Sequence, residues 1–395
     1  MPIDPRPVLT SPTIQDIEYI EFIEFIEFVE FVDFPLPFSF PACETCPYKF
    51  NEMEKYSQYR DRGSGIAPFF PIPTQPSGLY LPLHIFLFLC RLPVLLTVIL
   101  TYFLALQWLP IGSLGKKAAL WLILGVPGIW WIDLQIDGVR RGSVASHHKS
   151  HLPQPSSVIA SSSTSPIDAL YLAAVFDPVF TASYPSTRLV HHISLFEAIL
   201  RAFQPPQYNP PPHAHLVDLQ TLLRQHRHRP VVVFPECTTT NGRGILPFSP
   251  SLLTAFPRAK IFPVSLRYTP GDISTPVPGT YTTFLWNLLS KPTHCIRVRI
   301  AESVYNTSQG GAAAAPNVPI SAYATGLMDT LQDDTASSTE TLLSSEEGEA
   351  LTEPERKVLD KVAEALARLG RVKRVGLGIR EKSEFVKAWT RQRRR

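Results

Sequence analysis

The stretch that organises the chain lies at residues 229–246 and reads RPVVVFPECTTTNGRGIL. Residues 231–234 form a short, wholly apolar run that is typical of a strand buried on both faces of an α/β sheet. Pro235 ends that strand because proline has no N–H to give to the ladder. Ligands of open α/β sheets bind outside the carboxyl ends of the strands, where Glu236 and small polar residues follow. The stretch predicts a candidate site at Glu236, and the alternative is an ordinary strand-to-turn junction.

Strand and helix patterns alternate around this stretch. Further strands are predicted at residues 158–161, 179–182 and 261–266, and residues 296–300 alternate as an edge strand would. A helix is predicted from Pro166 through Phe176, because a proline in the first helical turn loses no hydrogen bond. Residues 193–203 are typical of an amphipathic helix. We therefore predict an α/β sandwich with a mixed sheet flanked by helices.

Composition narrows the class of function. A net charge of +3 over 395 residues, with no basic patch interleaved with aromatics, argues against nucleic-acid binding. The 5 cysteines are odd in number and scattered, which argues against a disulfide framework and favours a reducing compartment. Cys43 and Cys46 form one CxxC with no partner pair and no nearby histidine, so we predict no metal site. Residues 1–52 contain a three-residue repeat, IEYIEFIEFIEFVEFVDF, that fits neither the strand nor the helix period, and we expect them to be a disordered extension.

Two apolar stretches lie in residues 53–133 and predict a membrane-associated region. In residues 79–109, the part after Arg91 is nearly long enough to cross a bilayer. Either that part spans the membrane while Arg91 reaches one interface, or the two halves form a hairpin in one leaflet. A core helix of a soluble domain is the remaining alternative. Residues 118–132 carry three tryptophans and are broken by Gly125 and Pro127, which is typical of a re-entrant or interfacial helix.

Two motifs resemble the PlsC-type glycerolipid acyltransferases, which join fatty acyl-CoA to lysophospholipids. FPECTTTNG, at residues 234–242, resembles the FPEGT block of that family, and SSSTSPID, at residues 161–168, lies where the family has Asn-His-x-x-x-x-Asp. From Met53, the sequence MEKYSQYRDRGSGIAPFFP resembles the fungal branch that acylates lysophosphatidic acid. The resemblance runs from about residue 53 to about 304 and returns in the basic C-terminus.

The resemblance implies a PlsC-like domain at residues 134–305, preceded by a hydrophobic membrane segment. It implies acyl-CoA as co-substrate, no other cofactor, a lysophospholipid acceptor, and a place at the endoplasmic reticulum membrane and lipid droplet. Asp168 and Glu236 take the catalytic positions. The residues implied in substrate binding are Ser163, Thr164, Ser165, Pro166, Phe234, Pro235, Thr238, Thr239, Thr240, Asn241 and Gly242.

The chain departs from the family at two positions. Ser163 stands where the wider family has the histidine that takes the proton of the glycerol hydroxyl, and a serine is too weak a base for that step. His191 and His192 are the nearest replacements in the globular part, although a solvent-exposed pair is the plainer interpretation. Thr239 stands where many relatives that bind a lysophosphate have arginine. Three arginines could replace it, and the sequence does not choose among them: Arg188, Arg243 and Arg267.

The C-terminal quarter divides in two. Residues 306–354 are rich in small and acidic residues and predict a disordered linker. Residues 355–395 predict an amphipathic helix followed by a basic tail that ends RQRRR. Such a tail suits an anionic membrane surface, and a solvated tail is the alternative.

Three functional hypotheses follow. The first is an acyl-CoA-dependent lysophosphatidic acid acyltransferase that makes phosphatidic acid in glycerolipid and triacylglycerol synthesis. The second is an acyltransferase for another lysophospholipid. The third is an inactive lipid-binding or trafficking protein on the same scaffold, which the missing histidine favours.

Overall fold

The computed structural model describes residues 56–74, 78–106, 113–139, 151–308 and 351–393. The strands are β1 (Ile129–Ile136), β2 (Val158–Ser161), β3 (Val179–Ala182), β4 (Val190–Ile193), β5 (Leu216–Val217), β6 (Val231–Val233), β7 (Gly244–Ile245), β8 (Lys260–Thr269), β9 (His294–Ile300), β10 (Val304–Tyr305) and β11 (Lys373–Arg374). The helices are α1 (Leu81–Thr101), α2 (Ser113–Gly125), α3 (Pro166–Phe176), α4 (Leu195–Arg201), α5 (Leu219–Gln225), α6 (Tyr281–Leu289), α7 (Glu353–Gly370) and α8 (Ile379–Arg393).

Within these ranges, nine strands form one mixed sheet in the order β1-β9-β8-β2-β6-β3-β4-β5, with β10 beside β8. The central strands β2, β6 and β8 run parallel, and every residue of β2 and β6 is buried. Their apolar β-branched sequences suit this position because helices cover both faces of such strands. The predicted α/β class with a mixed sheet flanked by helices is confirmed.

Strand β9 corrects one prediction. Residues 296–300 were expected at a sheet edge, but β9 pairs with β1 on one side and with β8 on the other. Its alternating pattern reflects the burial of one face more than the other. Side-chain alternation reports on the two faces of a strand and carries no information about its hydrogen-bonded neighbours.

Residues 118–132 are divided between a helix and a strand, which corrects the prediction of one interfacial helix. Helix α2 ends at Gly125, and β1 begins at Ile129 and pairs in parallel with β9. The turn between them needs Gly128, whose φ is +87° and whose added Cβ would lie 2.4 Å from the carbonyl oxygen of Pro292. Strand β1 therefore crosses the boundary expected between the membrane-associated region and the acyltransferase-like domain.

Helix α1 runs through Pro93 without a break and continues as a π-helical turn to Leu106. The structure therefore shows no hairpin at Arg91. The Arg91 guanidinium does not reach outward; it donates to the carbonyl oxygens of Lys291 (2.5 Å) and Pro292 (2.9 Å), and more weakly to that of Pro127 (3.2 Å). The arginine thus fastens the helix to the domain.

The C-terminal helices belong to the folded domain, which corrects the expectation of a surface tail. The apolar stripe of α7 packs into a buried cluster, with Val358, Val362 and Leu366 at most 1% exposed. Strand β11 pairs with β7, and α8 packs on residues 56–74 through an aromatic cluster around Phe385. The apolar face of α7 is therefore not available to a membrane.

Several sequence predictions lie outside the described residues. They are the extension at 1–52, residues 309–350 of the predicted linker, and the last three residues of the apolar stretch at 79–109. Asn306, at the start of the predicted linker, is fully buried and donates to the carbonyl oxygens of Leu253 and Ala255. It therefore belongs to the domain.

Candidate functional site

The candidate site lies where β2, β3 and β6 end side by side. The loops that follow these strands, together with α4 and the residues after it, line a cavity of about 40 Å³, which is room for a few water molecules. Six of the residues predicted for the site line the cavity: Ser163, Ser165, Asp168, Phe234, Thr238 and Thr239. The other predicted residues lie in the same loops or at the start of α3 and are not among the residues that line the cavity. The sheet thus brings the two sequence motifs together at one edge.

Asp168 lies in the first turn of α3, at the cavity wall, and is 1% exposed. Its carboxylate accepts the backbone N–H of Thr164 (2.6 Å) and of Ser165 (2.9 Å), and the hydroxyl of Tyr268. Burial raises the pKa of Asp168 to about 6, while these hydrogen bonds act in the opposite direction. The carboxylate therefore both caps the helix and faces the cavity.

Glu236 follows β6 and is also 1% exposed. Its Oε2 atom has no hydrogen-bond partner among the described residues. Burial raises the pKa of Glu236 well above its ordinary value, and the nearby charge of Asp168 adds to this, whereas Lys382 lowers it. A buried carboxyl oxygen without a partner is costly, so Glu236 lowers the stability of the fold at this position.

The threonines of the 236–242 loop are held by backbone contacts. The hydroxyl of Thr239 donates to the carbonyl oxygen of Thr275 (2.7 Å). The backbone N–H of Thr240 donates to the carbonyl oxygen of Ser163 (2.9 Å), which joins the two sequence motifs directly. These contacts fix the loop against the loop that follows β2.

The far end of the same loop is tied to the N-terminal segment. The side-chain amide of Asn241 donates to the carbonyl oxygens of Ala67 (2.8 Å) and Phe70 (2.9 Å). The guanidinium of Arg267 donates to the carbonyl oxygen of Gly242 (2.6 Å). Asn241 and Gly242 therefore act as structural anchors in this structure.

Cys237 adopts a φ of +57°, in the left-handed region that favours glycine. The family pattern that the stretch resembles has glycine at this position, and glycine adopts this backbone conformation without strain. Burial raises the pKa of the Cys237 thiol to about 11, so the thiol stays protonated and is a poor nucleophile.

The backbone at Cys237 gives a testable stability order. Cys237→Gly is expected to be more stable than Cys237→Ala by about 1 kcal/mol, because alanine keeps the Cβ that is unfavourable at positive φ. The ordinary order at an extended or helical position is the reverse. Urea unfolding of the two variants measures the difference, and an alanine variant that is the more stable of the two would contradict it.

The histidine candidates do not line the cavity. His191 and His192 lie on β4, and neither is among the cavity-lining residues. The ring of His192 stacks on that of His226, with centroids 5.9 Å apart.

None of the three arginine candidates is among the residues that line the cavity. Arg188 pairs with Glu355 (2.5 Å), Arg267 holds Gly242, and Arg243 is exposed. Among the described residues, Arg201 is the basic side chain on the cavity wall. The sequence interpretation missed it because it lies in the last turn of a short helix, α4, where a basic residue is ordinary.

Lys382 is a second residue that the sequence interpretation missed. It comes from α8, is fully buried, and donates to the oxygens of Thr238 and Thr239. Burial lowers the pKa of Lys382 to about 7, and Glu236 opposes this shift. The site therefore contains two carboxyl groups and one amine, all buried.

Comparison with known proteins supports the resemblance that the motifs indicate. The chain is 27% identical, over 258 residues, to a Schizosaccharomyces pombe protein provisionally named lysophosphatidic acid:oleoyl-CoA acyltransferase. That match covers 63% of this chain and 84% of the relative. The chain is also 28% identical, over 198 residues, to lysophosphatidic acid:oleoyl-CoA acyltransferase 1 of Saccharomyces cerevisiae, a match that covers 50% of this chain and 61% of the relative. No protein-family model and no solved structure matches the chain.

Proposed function

We propose that this protein is an acyl-CoA-dependent lysophosphatidic acid acyltransferase that makes phosphatidic acid in glycerolipid and triacylglycerol synthesis. The observation that carries the proposal is the similarity to two curated relatives whose names state this acceptor and oleoyl-CoA. The buried carboxyl groups at the strand ends support it, because they lie at the two motif positions. We further propose that the α/β domain is a PlsC-like sandwich.

The geometry suits a small reacting group. A cavity of about 40 Å³ has room for the secondary hydroxyl of the acceptor's glycerol backbone and leaves the acyl chains outside. Arg201 lies on the cavity wall, where its guanidinium donates to the hydroxyl of Tyr184 (3.0 Å) and to the carbonyl oxygen of Ser183 (3.1 Å). A guanidinium carries five N–H donors, so it has further donors for phosphate oxygens. We propose that Arg201 holds the phosphate of the acceptor while Asp168 and the 236–242 loop keep the wall in place.

We also propose that α1 attaches the protein to the surface of a membrane. By length and composition, residues 78–106 could cross a bilayer, and only 6% of the most apolar part of this helix is buried in the domain. The inner side of the helix packs on the domain from Phe88, against Trp286, to Phe103, against Phe196. The outer side exposes an apolar stripe: Phe86, Leu89, Leu96, Leu100 and Leu104. This arrangement favours a helix that lies in one leaflet, because a domain in water cannot follow a helix across the bilayer.

Two substitutions test the membrane stripe. Leu89→Glu with Leu96→Glu places two charges on the stripe without touching the packed side of α1. We expect flotation with phosphatidylcholine–phosphatidylserine vesicles to fall at least about tenfold, since each charge opposes insertion by about 2–3 kcal/mol even at the lower end of measured scales. Thr221→Glu with Gln225→Glu on the exposed side of α5 is the matched control. Equal flotation of both double variants would rule out the stripe.

The cellular site that we propose is the endoplasmic reticulum membrane and the lipid droplet. The resemblance to the fungal branch supports this choice, and the exposed stripe of α1 supports a membrane in general. Fluorescent fusions of the parent and of the Leu89→Glu, Leu96→Glu variant provide the test. A parent that is diffuse in the cytoplasm would overturn it.

An acyl-transfer assay tests the proposed reaction. Protein purified in detergent is mixed with labelled oleoyl-CoA and a panel of lysophospholipids, beside Asp168→Ala, Glu236→Ala and Arg201→Gln. We expect phosphatidic acid from the parent, loss of product in the two carboxylate variants, and a raised KM for lysophosphatidic acid in Arg201→Gln with an unchanged KM for oleoyl-CoA. Arg224→Gln, on the exposed side of α5, is the matched control for the last variant.

The same assay separates the alternatives. Product from a different acceptor would assign the enzyme to another lysophospholipid. No product from any acceptor, with the protein folded and lipid bound, would leave the lipid-binding scaffold that Ser163 favours.

A further inference from the structure

A lysine side chain is fully buried beside the candidate site. Lys382 is 0% exposed, and lysine is almost never fully buried unless its charge is paired or its amine is neutral. Helix α8 places its Nζ atom 2.7 Å from the hydroxyl oxygen of Thr238, 2.5 Å from the carbonyl oxygen of Thr239 and 3.1 Å from the hydroxyl oxygen of Thr239. Within the described ranges of the chain, its partners are these neutral oxygens, and no carboxylate forms a salt bridge with it.

The three oxygens differ in whether they can only accept a hydrogen bond from the amine or can also donate one to it. The carbonyl oxygen of Thr239 can only accept. The hydroxyl of Thr239 gives its own proton to the carbonyl oxygen of Thr275, so it also accepts from the amine. The hydroxyl of Thr238 can either accept from a charged ammonium or donate to a neutral amine. These three oxygens therefore satisfy the hydrogen bonds of Lys382 in both protonation states, without movement of a side chain.

Thr238 connects the amine to the cavity. Its side chain lines the cavity that Asp168 and Ser163 also line, and it is 9% exposed. A hydroxyl group placed in the cavity can reach Thr238, whereas Lys382 lies behind the wall. The Thr238 hydroxyl is thus the link between a substrate and the buried amine.

The charges around the amine let it exchange a proton near neutral pH. Burial lowers the pKa of Lys382 to about 7, and Glu236 faces it with the opposite effect. Asp168 acts on Glu236 from α3. The remaining neighbouring carboxylates are engaged locally: Asp61 with Ser64 and the N–H of Gly376, and Glu381 with the N–H of Gly378.

We propose that Lys382 is the proton acceptor of the site and acts through the hydroxyl of Thr238. The inference rests on the proposed acyltransferase function and supplies the base that Ser163 cannot be. Lys382 itself does not touch the substrate, so it acts by keeping Thr238 ready to accept a proton.

The proton balance of the step closes within the site. The acceptor hydroxyl gives its proton to Thr238 as its oxygen attacks the thioester carbonyl carbon, and Thr238 gives its own proton to neutral Lys382. The carbon–sulfur bond then breaks, and the proton returns through Thr238 to the departing thiolate. The products are the ester and free CoA thiol, with Lys382 neutral again.

The test compares substitutions at Lys382 in the full-length protein, using lysophosphatidic acid and oleoyl-CoA. Lys382→Met keeps the length of the side chain and removes the amine. Lys382→Arg keeps the charge and the donors but does not release a proton near neutral pH. We expect kcat to fall about 10²–10⁴-fold in both. Lys387→Met, at a position on the same helix outside the site, is the control and should keep the parent rate.

The pH profile and Thr238 provide readouts that a purely structural role would not move. The kcat of the parent should fall below an apparent pKa near 7, where Lys382 becomes charged, and the residual rate of Lys382→Met should lack this limb. Thr238→Val should lose as much rate as Lys382→Met, and the double variant should lose no more than either, because the two groups act as one unit. Thr238→Ser should recover most of the rate.

The outcomes separate this inference from the proposed function. An active parent whose Lys382→Arg variant keeps both the rate and the acidic limb would overturn the role of Lys382 and leave the acyltransferase intact. If the lysine variants fail to fold, a fully active Thr238→Val variant would overturn the role equally. A parent that acylates no acceptor would overturn both proposals.

Discussion

Glu236→Gln is expected to slow acyl transfer about 10²–10³-fold while the fold stays as stable as that of the parent, or more so. The rate falls because Lys382 becomes positively charged during proton transfer, and Glu236 is the carboxyl group that faces this charge. An amide cannot stabilise that charge. Stability does not fall because the Oε2 atom of Glu236 is buried with no partner among the described residues, so the carboxyl form is already costly.

The measurements are kcat at several pH values and the thermal midpoint of the same preparations. Without Glu236, the pKa of Lys382 is lowered further, so the acidic limb of the profile should move to lower pH. Glu381→Gln, at the start of the same helix as Lys382, is the matched control. A Glu236→Gln variant that loses rate and stability in parallel would assign Glu236 a structural role instead.

The central strands and α3 could be read from the sequence because each carries a local signal. Strands β2 and β3 were predicted with their observed bounds, and α3 from Pro166 to Phe176 likewise. Here the apolar runs are short, and prolines or small polar residues mark their ends. Local propensity and tertiary packing agree in these segments.

Strand β1 could not be read in the same way. Its sequence, IWWIDLQI, continues an apolar stretch from α2, and periodicity does not separate a buried strand from a helix in so short a run. The signal that could have divided the stretch is Gly128, which the chain needs for a turn close to Pro292. That requirement depends on a segment far along the chain and is visible only in the fold.

The sequence indicated the motif residues of the site but not Lys382. The motif residues Asp168 and Glu236 lie in two loops that neighbouring strands bring together, which the sheet class alone implies. Lys382 is 144 residues from Thr238, inside a tail whose basic composition suggests a solvated surface. One signal was present: Lys382 lies in the same stripe of α8 as Phe385 and Trp389, at helical spacing, so it replaces an apolar residue on a buried face.

Phe385→Ala is expected to destabilise the protein by about 3–5 kcal/mol, the usual range for a fully buried phenylalanine. Phe385 is 0% exposed, and its ring lies against five other aromatic rings. The centroid distances run from 5.3 Å to Phe70 to 6.2 Å to Phe69, with Tyr56, Tyr59 and Trp389 between them. This cluster holds α8 on the N-terminal segment, and α8 carries Lys382 one turn earlier.

The loss should therefore appear in two measurements. Urea unfolding should show a lower midpoint, and acyl transfer should fall at temperatures where the N-terminal segment and α8 separate, because Lys382 then leaves Thr238. Tyr305→Ala, at an exposed aromatic on β10, is the control and should change stability by less than about 1 kcal/mol. A Phe385→Ala variant with full activity after α8 has become accessible to protease would show that the reaction does not need the C-terminal helix. The role of Lys382 would then fail, because its amine reaches the site only when that helix is docked.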